Sequence, residues 1–500
     1  MNSRATLPAA PIAPAQSAAG RDARAWLLAI ALGVSVLSHL KGVYSPPLDY
    51  HHHRQINTSA IARNYHRGGL DLLHPKIDWE GDYQGHAATE MPLYMWLMGL
   101  LWPFLGLGEL WGRWLSIASS ALTALYLFKL CERRLGQEPA FYASVFFSCL
   151  PLEIYFGRNI QPDAFALLGG IAALYHWDRW LSGAPPWHWL ASVIAVALSI
   201  GHKLPHAYIL GPLAALVWAR MGWRGLLRPG TMLALALSFG GVLAWYRHAS
   251  TGTFVVPTRW TEFAILLEYD RLPYNIWHQF SSRFPELSST YGGLALAAVG
   301  ARELFWRKPD PLFLSWFASV AGSLIMACGY SYHHEYSSLP FTPVNAALMG
   351  LGLFKLKLAA SAPGARRWAL AGVAALALSV PAHGFLRIRH WYRNNFPFLA
   401  HAGAAADAVS RPTDLFVCND RTASTYLYYL DRKGWGWDLR EAGEASLAQV
   451  DSLSRRRARF YMTRKDELFL SRDNPYARHF YGRYPVVYDR DDILIFQLGK

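Results

Sequence analysis

Long apolar runs are the feature that most limits what this chain can fold into. Stretches such as AWLLAIALGVSVLSHL, LFLSWFASVAGSLIMACGY and WALAGVAALALSV have about the length that a helix needs to cross a bilayer. Of the 500 residues only 16% are charged, against about 25% in a typical soluble domain. The sequence therefore predicts a polytopic α-helical membrane protein.

The formal net charge of +14 does not indicate a nucleic-acid partner. The basic residues fall in short clusters between apolar runs, which is typical of loops that face the cytoplasm. No basic stripe is interleaved with aromatic residues, so we expect no nucleic-acid binding. The four cysteines, at positions 131, 149, 328 and 418, form neither a disulfide framework nor a zinc spacing.

Charge placement predicts about eleven spans. Residues 1–23 are rich in Ala and Pro and are predicted to be a disordered cytoplasmic tail. The apolar run after them lacks a small-residue cleavage site and is predicted to be retained as the first span, over roughly 24–43. Residues 91–107 contain two prolines and several aromatics, and we expect them to lie in the membrane interface without crossing. The basic linker CERRLGQ then falls on the cytoplasmic side.

The C-terminal region changes character. DLFVCN and ARFYMT have strand patterns, and YPVVYDRDDILIFQL is typical of a hairpin. RTASTYLYYLDRKGW predicts a short helix that ends near Gly434. Beyond the tail we therefore expect a transmembrane domain over 24–388, with an outer loop over 44–108, and a small α/β domain over 389–500 on the outer face.

Polar and charged side chains collect in four predicted outer segments. In the first, NTSAIARNYHRGG predicts a surface-lying helix that begins at Asn57 or Thr58 and ends at its glycines. The candidate site residues are Asp49, His53, Arg54, Asn57, Asp82 and Glu90 in the first segment, Arg158 and Asp163 in the second, Lys203 in the third, and His333, His334, Glu335 and Tyr336 in the fourth.

Each of these candidates also has an ordinary structural interpretation. Three adjacent histidines at 51–53 cannot all turn to one ion, so a polar loop or a substrate contact is favoured over a metal site. Arg158 and Lys203 could snorkel to the interface. Asp163 could cap a helix, Glu90 could be a surface carboxylate, and Glu335 could form a local ion pair.

Taken together, these residue types fit the transfer of a sugar from a lipid phosphate. A carboxylate can act as a general base on an acceptor hydroxyl, and Asp49, Glu90 and Asp82 are the candidates for the catalytic carboxylate. Arg158 and Lys203 can bind the donor phosphate and stabilise it as it departs. The other candidates are expected to contact the substrates.

The order of the segments resembles the GT-C membrane glycosyltransferases, in particular the protein O-mannosyltransferase and aminoarabinose transferase (PMT/ArnT-like) type with its RgtA/B/C/D-like bacterial members. The resemblance is carried by RQINTSAIARNYHRGGLDLLHPKIDWEGD, TEMPLY, YFGRNIQPDAFAL, GHKLP, HHEYSSLPFTPVNAALMG and YYLDRKGW. It implies the GT-C fold and an inverting glycosyltransferase with an undecaprenyl- or dolichyl-phosphate sugar as donor. The implied acceptor is a lipid, a glycan or a protein, at the outer face of the inner (plasma) membrane. Some members bind a divalent cation, for which no ligands are assigned here.

The sequence departs from the family pattern at two positions. Relatives usually have an aspartate where this chain has Asn57, and often a second acidic residue where it has Ala88. Asparagine cannot act as a base. A transporter or flippase of lipid-linked sugars and a non-catalytic scaffold with the same fold stay open as alternatives. Polar groups that sit on one face under a soluble domain favour an enzyme over a transporter.

Overall fold

The structure is a computed structural model that describes residues 18–79, 81–87, 90–104, 108–251, 268–363, 368–420, 424–439 and 444–499. Most of the predicted tail and Ala88 lie outside the described residues. The chain divides into two compact units. The helical unit draws its residues from Met1–Val43, Trp114–Trp245 and Arg259–His390, and the mixed unit draws its residues from Tyr44–Arg113, Tyr246–Thr258 and Trp391–Lys500.

The described chain is mostly helical. The α-helices are α1 (Ala18–Ser38), α2 (His52–Gly68), α3 (Leu93–Leu101), α4 (Gly108–Leu135), α5 (Gln137–Cys149), α6 (Pro151–Phe156), α7 (Asp163–Leu181), α8 (Trp187–His202), α9 (Leu210–Met221), α10 (Pro229–Ala249), α11 (Leu272–His278), α12 (Tyr291–Ala301), α13 (Pro311–Met326), α14 (Cys328–His333), α15 (Phe341–Ala360), α16 (Trp368–Arg387), α17 (Ala402–Val409), α18 (Thr425–Leu430), α19 (Glu444–Arg455), α20 (Glu467–Leu470) and α21 (Pro475–Arg483). Short 3₁₀ or π-helical turns cover Leu204–Ile209, Trp223–Leu227, Tyr269–Arg271, Gln279–Ser288, Arg302–Arg307, Glu335–Ser338 and Pro397–His401.

Three of the described helices are each long and apolar enough to cross a membrane, namely α4, α10 and α16. The apolar helices α8 and α13 are shorter. These helices support a multi-pass membrane protein, while the count of eleven spans stays a prediction. Helix α3 has nine residues, about 14 Å at 1.5 Å per residue, so it is too short to cross. This length agrees with the interfacial segment predicted over 91–107.

Glycines allow helix α15 to pack closely on two neighbours in the helical unit. A Cβ atom on Gly352 would clash with the carbonyl oxygen of Leu296 in α12, and one on Gly300 of α12 would clash with that of Leu348. Gly350 approaches Pro139 of α5 in the same way. Small residues at such contacts are the usual means by which membrane helices approach each other closely.

One end of the helical unit is marked by a cluster of ion pairs. Asp178, in the last turn of α7, pairs with Arg134 and Arg133 at the end of α4, at 2.6 and 3.0 Å, and with Arg220 at the end of α9 at 3.1 Å. Arg134 also pairs with Asp310 at the start of α13, at 2.9 Å. The ends of four helices therefore meet at one place, here called the basic end. These contacts give Asp178 a structural role.

The basic end yields a prediction about topology. If this end faces the cytoplasm, as the positive-inside rule requires, a cysteine placed at Gln137, next to it, stays unlabelled by an impermeant maleimide in intact cells. The four native cysteines are buried and give a low background. Tyr44→Cys, at a strongly exposed side chain of the mixed unit, is the positive control. Fast labelling of Gln137→Cys in intact cells would overturn the predicted orientation.

The mixed unit is built on a five-stranded sheet. Its strands are β1 (Leu415–Cys418), β2 (Gly434–Gly436), β3 (Ala458–Arg464), β4 (Val486–Arg490) and β5 (Ile493–Gln497), in the order β2-β1-β3-β5-β4. β1 is parallel to β2 and β3, and β5 is antiparallel to β3 and β4. The predicted strands and hairpin are all present. The predicted helix before Gly434 ends earlier, at Leu430, because Gly434 begins the edge strand β2 beside Phe416.

Both faces of the sheet are covered. Phe416 and Cys418 of β1 point to one face, where they join Ile56 and Ala60 of α2 in one apolar core. Val417 points to the other face, where α19 and α21 cover it. Burial on both faces explains why these strands are apolar at consecutive positions.

Helix α2 begins earlier than predicted, at His52 rather than at Asn57 or Thr58, because Arg54 N and Gln55 N already donate to the carbonyl oxygen of His51. The Asn57 side chain caps no helix and accepts a hydrogen bond from Trp79 Nε1 at 3.3 Å. α3 and α18 pack against the helix and nine of its residues are buried, while its position at a membrane surface stays a prediction. Its predicted end is correct: Gly69 follows it with φ +88°, a conformation that glycine adopts without strain.

A buried guanidinium joins α2 to the C-terminal part of the mixed unit. Arg63 donates to Asp78 Oδ2 at 2.8 Å and to the carbonyl oxygen of Tyr428 at 2.9 Å, and its Nη1 lies 3.0 Å from Asp431 Oδ1. Its Cζ stands 4.1 Å from the ring centroid of Tyr428. These contacts tie the segment 44–108, predicted as the outer loop of the transmembrane domain, to residues after 391.

We expect Arg63→Ala to destabilise the mixed unit by about 3–5 kcal/mol, because it leaves buried acceptors without their cation. Arg67→Ala is the matched control: Arg67 pairs with the same Asp431, at 2.6 Å, but is more than half exposed, so its loss should cost no more than about 1 kcal/mol. Thermal unfolding of purified variants in detergent measures both. Equal losses would contradict the central role of Arg63.

The same network predicts a response to pH. Burial alone would raise the pKa of Asp431, but the guanidinium groups of Arg67 and Arg63 outweigh it, and the net pKa is lowered. A lowered pKa means that this stabilisation is present above about pH 4 and fades as the pH falls through the lowered value.

Candidate active site

The candidate residues fall in both units. The mixed unit holds Asp49, His53, Arg54, Asn57, Asp82 and Glu90, and the helical unit holds Arg158, Asp163, Lys203, His333, His334, Glu335 and Tyr336.

In the helical unit, Asp163 and Lys203 form a buried ion pair. Asp163 is the first residue of α7 and Lys203 follows the last residue of α8, and Lys203 Nζ lies 3.3 Å from Asp163 Oδ2. The same ammonium stands 5.3 Å from the ring centroid of Tyr336, on which the ring of His334 stacks at 4.9 Å. Four residues from three predicted outer segments are thus brought together.

These contacts bear on two of the structural alternatives. Asp163 is the first helical residue of α7 rather than its N-cap, which is Pro162, and it pairs with Lys203. Lys203 is 7% exposed and Arg158 is fully buried, so neither is a snorkelling side chain with its charged head in water. Asp163 and Asp178 stand fifteen positions apart in α7, about 23 Å at 1.5 Å per residue. The Asp163–Lys203 pair therefore lies at the end of α7 opposite the basic end.

The turn between α6 and α7 buries further polar groups beside Asp163. Arg158 donates to the carbonyl oxygen of Gly42 at 3.3 Å, and its guanidinium lies 4.9 Å from the ring centroid of Tyr155. Asn159 and Gln161 are fully buried, and their side-chain amides have no hydrogen-bond partner among the described residues. Most buried polar groups in proteins are satisfied, so two such amides together indicate a place for a ligand. Sequence reasoning missed both residues, although they stand inside the motif YFGRNIQPDAFAL.

The segment from 333 to 336 is held by partners that the sequence did not suggest. His333 Nε2 lies 3.2 Å from Glu268 Oε2. Glu335 is 3.9 Å from Arg283, which also donates to the carbonyl oxygen of Tyr332 at 2.8 Å. Glu335 therefore forms an ion pair, but its partner is a buried arginine that is distant in the sequence rather than a neighbouring residue. Only the three-dimensional structure could identify Arg283, since it lies about fifty residues earlier.

In the mixed unit, two candidate carboxylates are held by residues of α2. Asp49 is 2% exposed and accepts a hydrogen bond from Gln55 Nε2 at 2.6 Å. Glu90 pairs with Arg54 at 2.7 Å. The third candidate, Asp82, pairs with Arg456 at 3.2 Å on the surface.

The histidine triplet begins α2. His51 takes a left-handed conformation with φ 57°, and the His52 ring lies 4.5 Å from that of Phe396. Burial lowers the pKa of His53 to about 3 and also lowers that of His52, so both imidazoles are neutral at pH 7. Neutral rings can exchange hydrogen bonds with a sugar but add no positive charge for a phosphate.

A metal site is not apparent in the part of the chain that the structure describes. There, no group of three or more His, Cys, Asp or Glu side chains is arranged to hold an ion.

Comparison with known proteins adds a family match over part of the chain. Residues 86–246, less than half of the chain, match the family model described as dolichyl-phosphate-mannose-protein mannosyltransferase. Comparison with curated proteins finds no match.

The fold is that of known membrane glycosyltransferases. ArnT from Cupriavidus metallidurans bound to undecaprenyl phosphate aligns with a TM-score of 0.63 over 96% of this chain and 98% of its own, at 13% identity. The Archaeoglobus fulgidus oligosaccharyltransferase in complex with Zn and sulfate aligns with a TM-score of 0.61 over 95% of this chain and 73% of its own, at 12% identity. AglB from the same organism, in complex with an inhibitory peptide and a dolichol-phosphate, aligns with a TM-score of 0.59 over 96% of this chain and 74% of its own, at 13% identity.

These matches confirm the predicted GT-C fold and the predicted resemblance. The sequence of residues 86–246 matches the protein mannosyltransferase family model. The fold of nearly the whole chain matches GT-C glycosyltransferases such as ArnT. At 12–13% identity the structural likeness defines the fold and leaves donor and acceptor to be argued from the site.

Proposed function

We propose that this protein transfers a sugar from a polyprenyl-phosphate donor to a lipid, glycan or protein acceptor, with inversion at the anomeric carbon. The reaction takes place at the outer face of the plasma membrane, where the Asp163–Lys203 end of the helical unit lies. The observation that carries the proposal is the buried group of Arg158, Asn159, Gln161 and the Asp163–Lys203 pair.

This group suits a phosphate that leaves from a sugar. As the bond between the anomeric carbon and the phosphate oxygen breaks, the electron pair stays with the phosphate. Arg158 and Lys203 can stabilise that charge, and burial makes such contacts stronger than they are in water. The amides of Asn159 and Gln161, which lack partners among the described residues, can donate hydrogen bonds to phosphate or sugar oxygens.

The acceptor hydroxyl attacks the anomeric carbon from the other side and loses its proton to a carboxylate. Glu90 and Asp49 are the best candidates, because each is largely buried and oriented by one hydrogen-bond donor, Arg54 or Gln55. Asp82 is the weakest of the three, since exposed ion pairs hold side chains loosely. His53 and Asn57 are assigned to contacts with the sugar or the acceptor.

Two of the structural neighbours support a lipid-phosphate donor. The ArnT structure holds undecaprenyl phosphate and the AglB structure holds a dolichol-phosphate, so lipids of the same chemical class bind to this fold. The position of the charged pair argues against a flippase: Asp163 and Lys203 stand at helix ends, whereas transporters place such groups near the middle of broken helices.

The function is tested by incubating the purified protein with a labelled polyprenyl-phosphate sugar and membrane extract, and by comparing glycans and glycolipids of a deletion strain with those of wild type by mass spectrometry. A sugar that is absent from the deletion strain and restored by the cloned gene identifies both sugar and acceptor. Identical profiles together with an inert purified protein would favour the non-catalytic scaffold.

We expect Arg158→Gln and Lys203→Met each to reduce turnover at least about tenfold, the scale of one charge-assisted hydrogen bond of about 1.5–3 kcal/mol. Arg134→Gln is the matched control, because it removes a partly buried, paired arginine at the basic end and should leave turnover per folded molecule unchanged. Wild-type turnover in both site variants would reduce Arg158 and Lys203 to structural residues.

We expect Glu90→Gln and Asp49→Asn to lower transfer by about 10²–10⁴-fold, the usual effect of removing a general base. Asp414→Asn controls for folding, since Asp414 is a largely buried carboxylate of the same unit that pairs with Arg459. If both variants keep wild-type rates and Asn57→Asp raises activity, the base position is the one that this chain has lost.

A further inference from the structure

A polar cavity of about 280 Å³ lies within the mixed unit, at the C-terminal end of α2. Neither the family match nor the proposed catalytic groups account for it. Its polar lining consists of Asn64, Asp71, His74, Lys76, Gln84 and His86.

The walls of this cavity are fixed by hydrogen bonds. The segment after α2 folds back on itself: Ile77 N donates to Gly85 O at 2.8 Å, and Ala87 N donates to Pro75 O at 3.0 Å. Asn64 Nδ2 donates to the carbonyl oxygen of Lys76 at 3.0 Å. The cavity therefore has a defined shape before any ligand arrives, which lowers the cost of binding.

The charges in the cavity favour an anion. Lys76 forms no ion pair with any residue that the structure describes, and only Asp71 supplies a carboxylate to the lining. Asp71 is already engaged: His74 Nδ1 lies 2.7 Å from its Oδ2, and Leu73 N donates to its Oδ1 at 3.1 Å. The hydrogen bond from His74 lowers the pKa of Asp71, so the carboxylate stays ionised and holds the imidazole in place.

Two more imidazoles surround His74. The ring of His86 stands 5.3 Å from it and that of His248 stands 5.4 Å from it. The Lys76 ammonium and the Gln84 amide supply N–H donors to this space, whereas His248 Nε2 already lies 3.0 Å from the carbonyl oxygen of Leu73. A phosphate monoester, with three strong acceptor oxygens, matches this set of donors better than a neutral sugar does.

Helix α2 separates the cavity from Arg54, the partner of Glu90. Arg54 stands ten residues before Asn64 and fourteen before Gly68, about 15–21 Å along the helix at 1.5 Å per residue. Glu90 itself follows His86 of the lining by four residues, at most about 14 Å of extended chain. A ligand group in the cavity would therefore belong to the same molecule as the reacting hydroxyl but to a different part of it.

We propose that this cavity binds a phosphate monoester group carried by a glycan or a lipid. If the proposed transferase function holds, on which this assignment rests, the group belongs to the acceptor, at a part of it other than the reacting hydroxyl.

Binding is tested without turnover, by calorimetric titration of the full-length protein in phosphatidylcholine nanodiscs with glucose 1-phosphate and with glucose. We expect glucose 1-phosphate to bind at least tenfold more tightly than glucose. Lys76→Gln should weaken that binding at least tenfold, whereas Lys465→Gln, at a lysine outside the cavity that pairs with Asp489, should leave it unchanged.

A second variant blocks the cavity while keeping every charge. A Cβ atom on Gly68 would meet only Lys76 Nζ, at 4.0 Å, so Gly68→Leu should fit the fold and fill the space beside the ammonium. We expect it to weaken glucose 1-phosphate binding at least tenfold with an unchanged unfolding temperature. Wild-type binding in both Lys76→Gln and Gly68→Leu, or equal affinity for glucose and its phosphate, would overturn the proposal.

The source of the phosphate is distinguished in nanodiscs that contain phosphatidic acid. If glucose 1-phosphate binds more weakly in these nanodiscs, phosphatidic acid competes for the cavity, and the ligand is a lipid phosphate. If the affinity for glucose 1-phosphate is unchanged, the ligand is a glycan phosphate. Because these titrations need no sugar transfer, an inactive enzyme that still binds would refute the transferase proposal alone.

Discussion

The guanidinium of Arg63 is the contact on which the mixed unit most depends. It reaches a carboxylate in the segment after α2, a carbonyl at the end of α18 and a second carboxylate beyond it. Buried charges are tolerated only when they are well paired, so these three partners must arrive together. Once they do, α2 is fixed, and with it the two candidate carboxylates that Gln55 and Arg54 orient.

In the helical unit, two groups of ion pairs stand at opposite ends of α7. One surrounds Asp178, and the other is the pair of Asp163 and Lys203. The first is complete, since Asp178 has three arginine partners. The second lies beside two buried amides that have no partners among the described residues. The two ends of α7 thus differ in how far their buried polar groups are satisfied, which is the basis of the proposed donor site.

Local signals in the sequence predicted much of this architecture. Apolar runs predicted the membrane helices, and two β-rich runs around a charged turn predicted the β4–β5 hairpin, while the non-crossing placement of residues 91–107 stays a prediction. The start of α2 was wrong because its backbone hydrogen bonds already begin at the carbonyl oxygen of His51, and the Asn57 side chain accepts from Trp79, a contact that no local pattern reveals. The grouping of residues 44–113 with the C-terminal sheet and the partners of Glu335 could not be predicted either, since they depend on pairs separated by about fifty to several hundred residues.

The edge strand β2 shows what that separation means while the chain is being made. Gly434 donates to the carbonyl oxygen of Asp78 and accepts from Gly81 N, so the early segment pairs with the edge of a sheet that is synthesised last. Arg67 and Asp431 are 364 residues apart, about 20–70 s of synthesis at 5–20 residues per second. During that time the segment after α1 stands without these partners, and its apolar face is uncovered. The mixed unit can therefore form only after translation is nearly complete, and a ribosome that stalls before residue 431 would leave an aggregation-prone chain for quality-control proteases to remove.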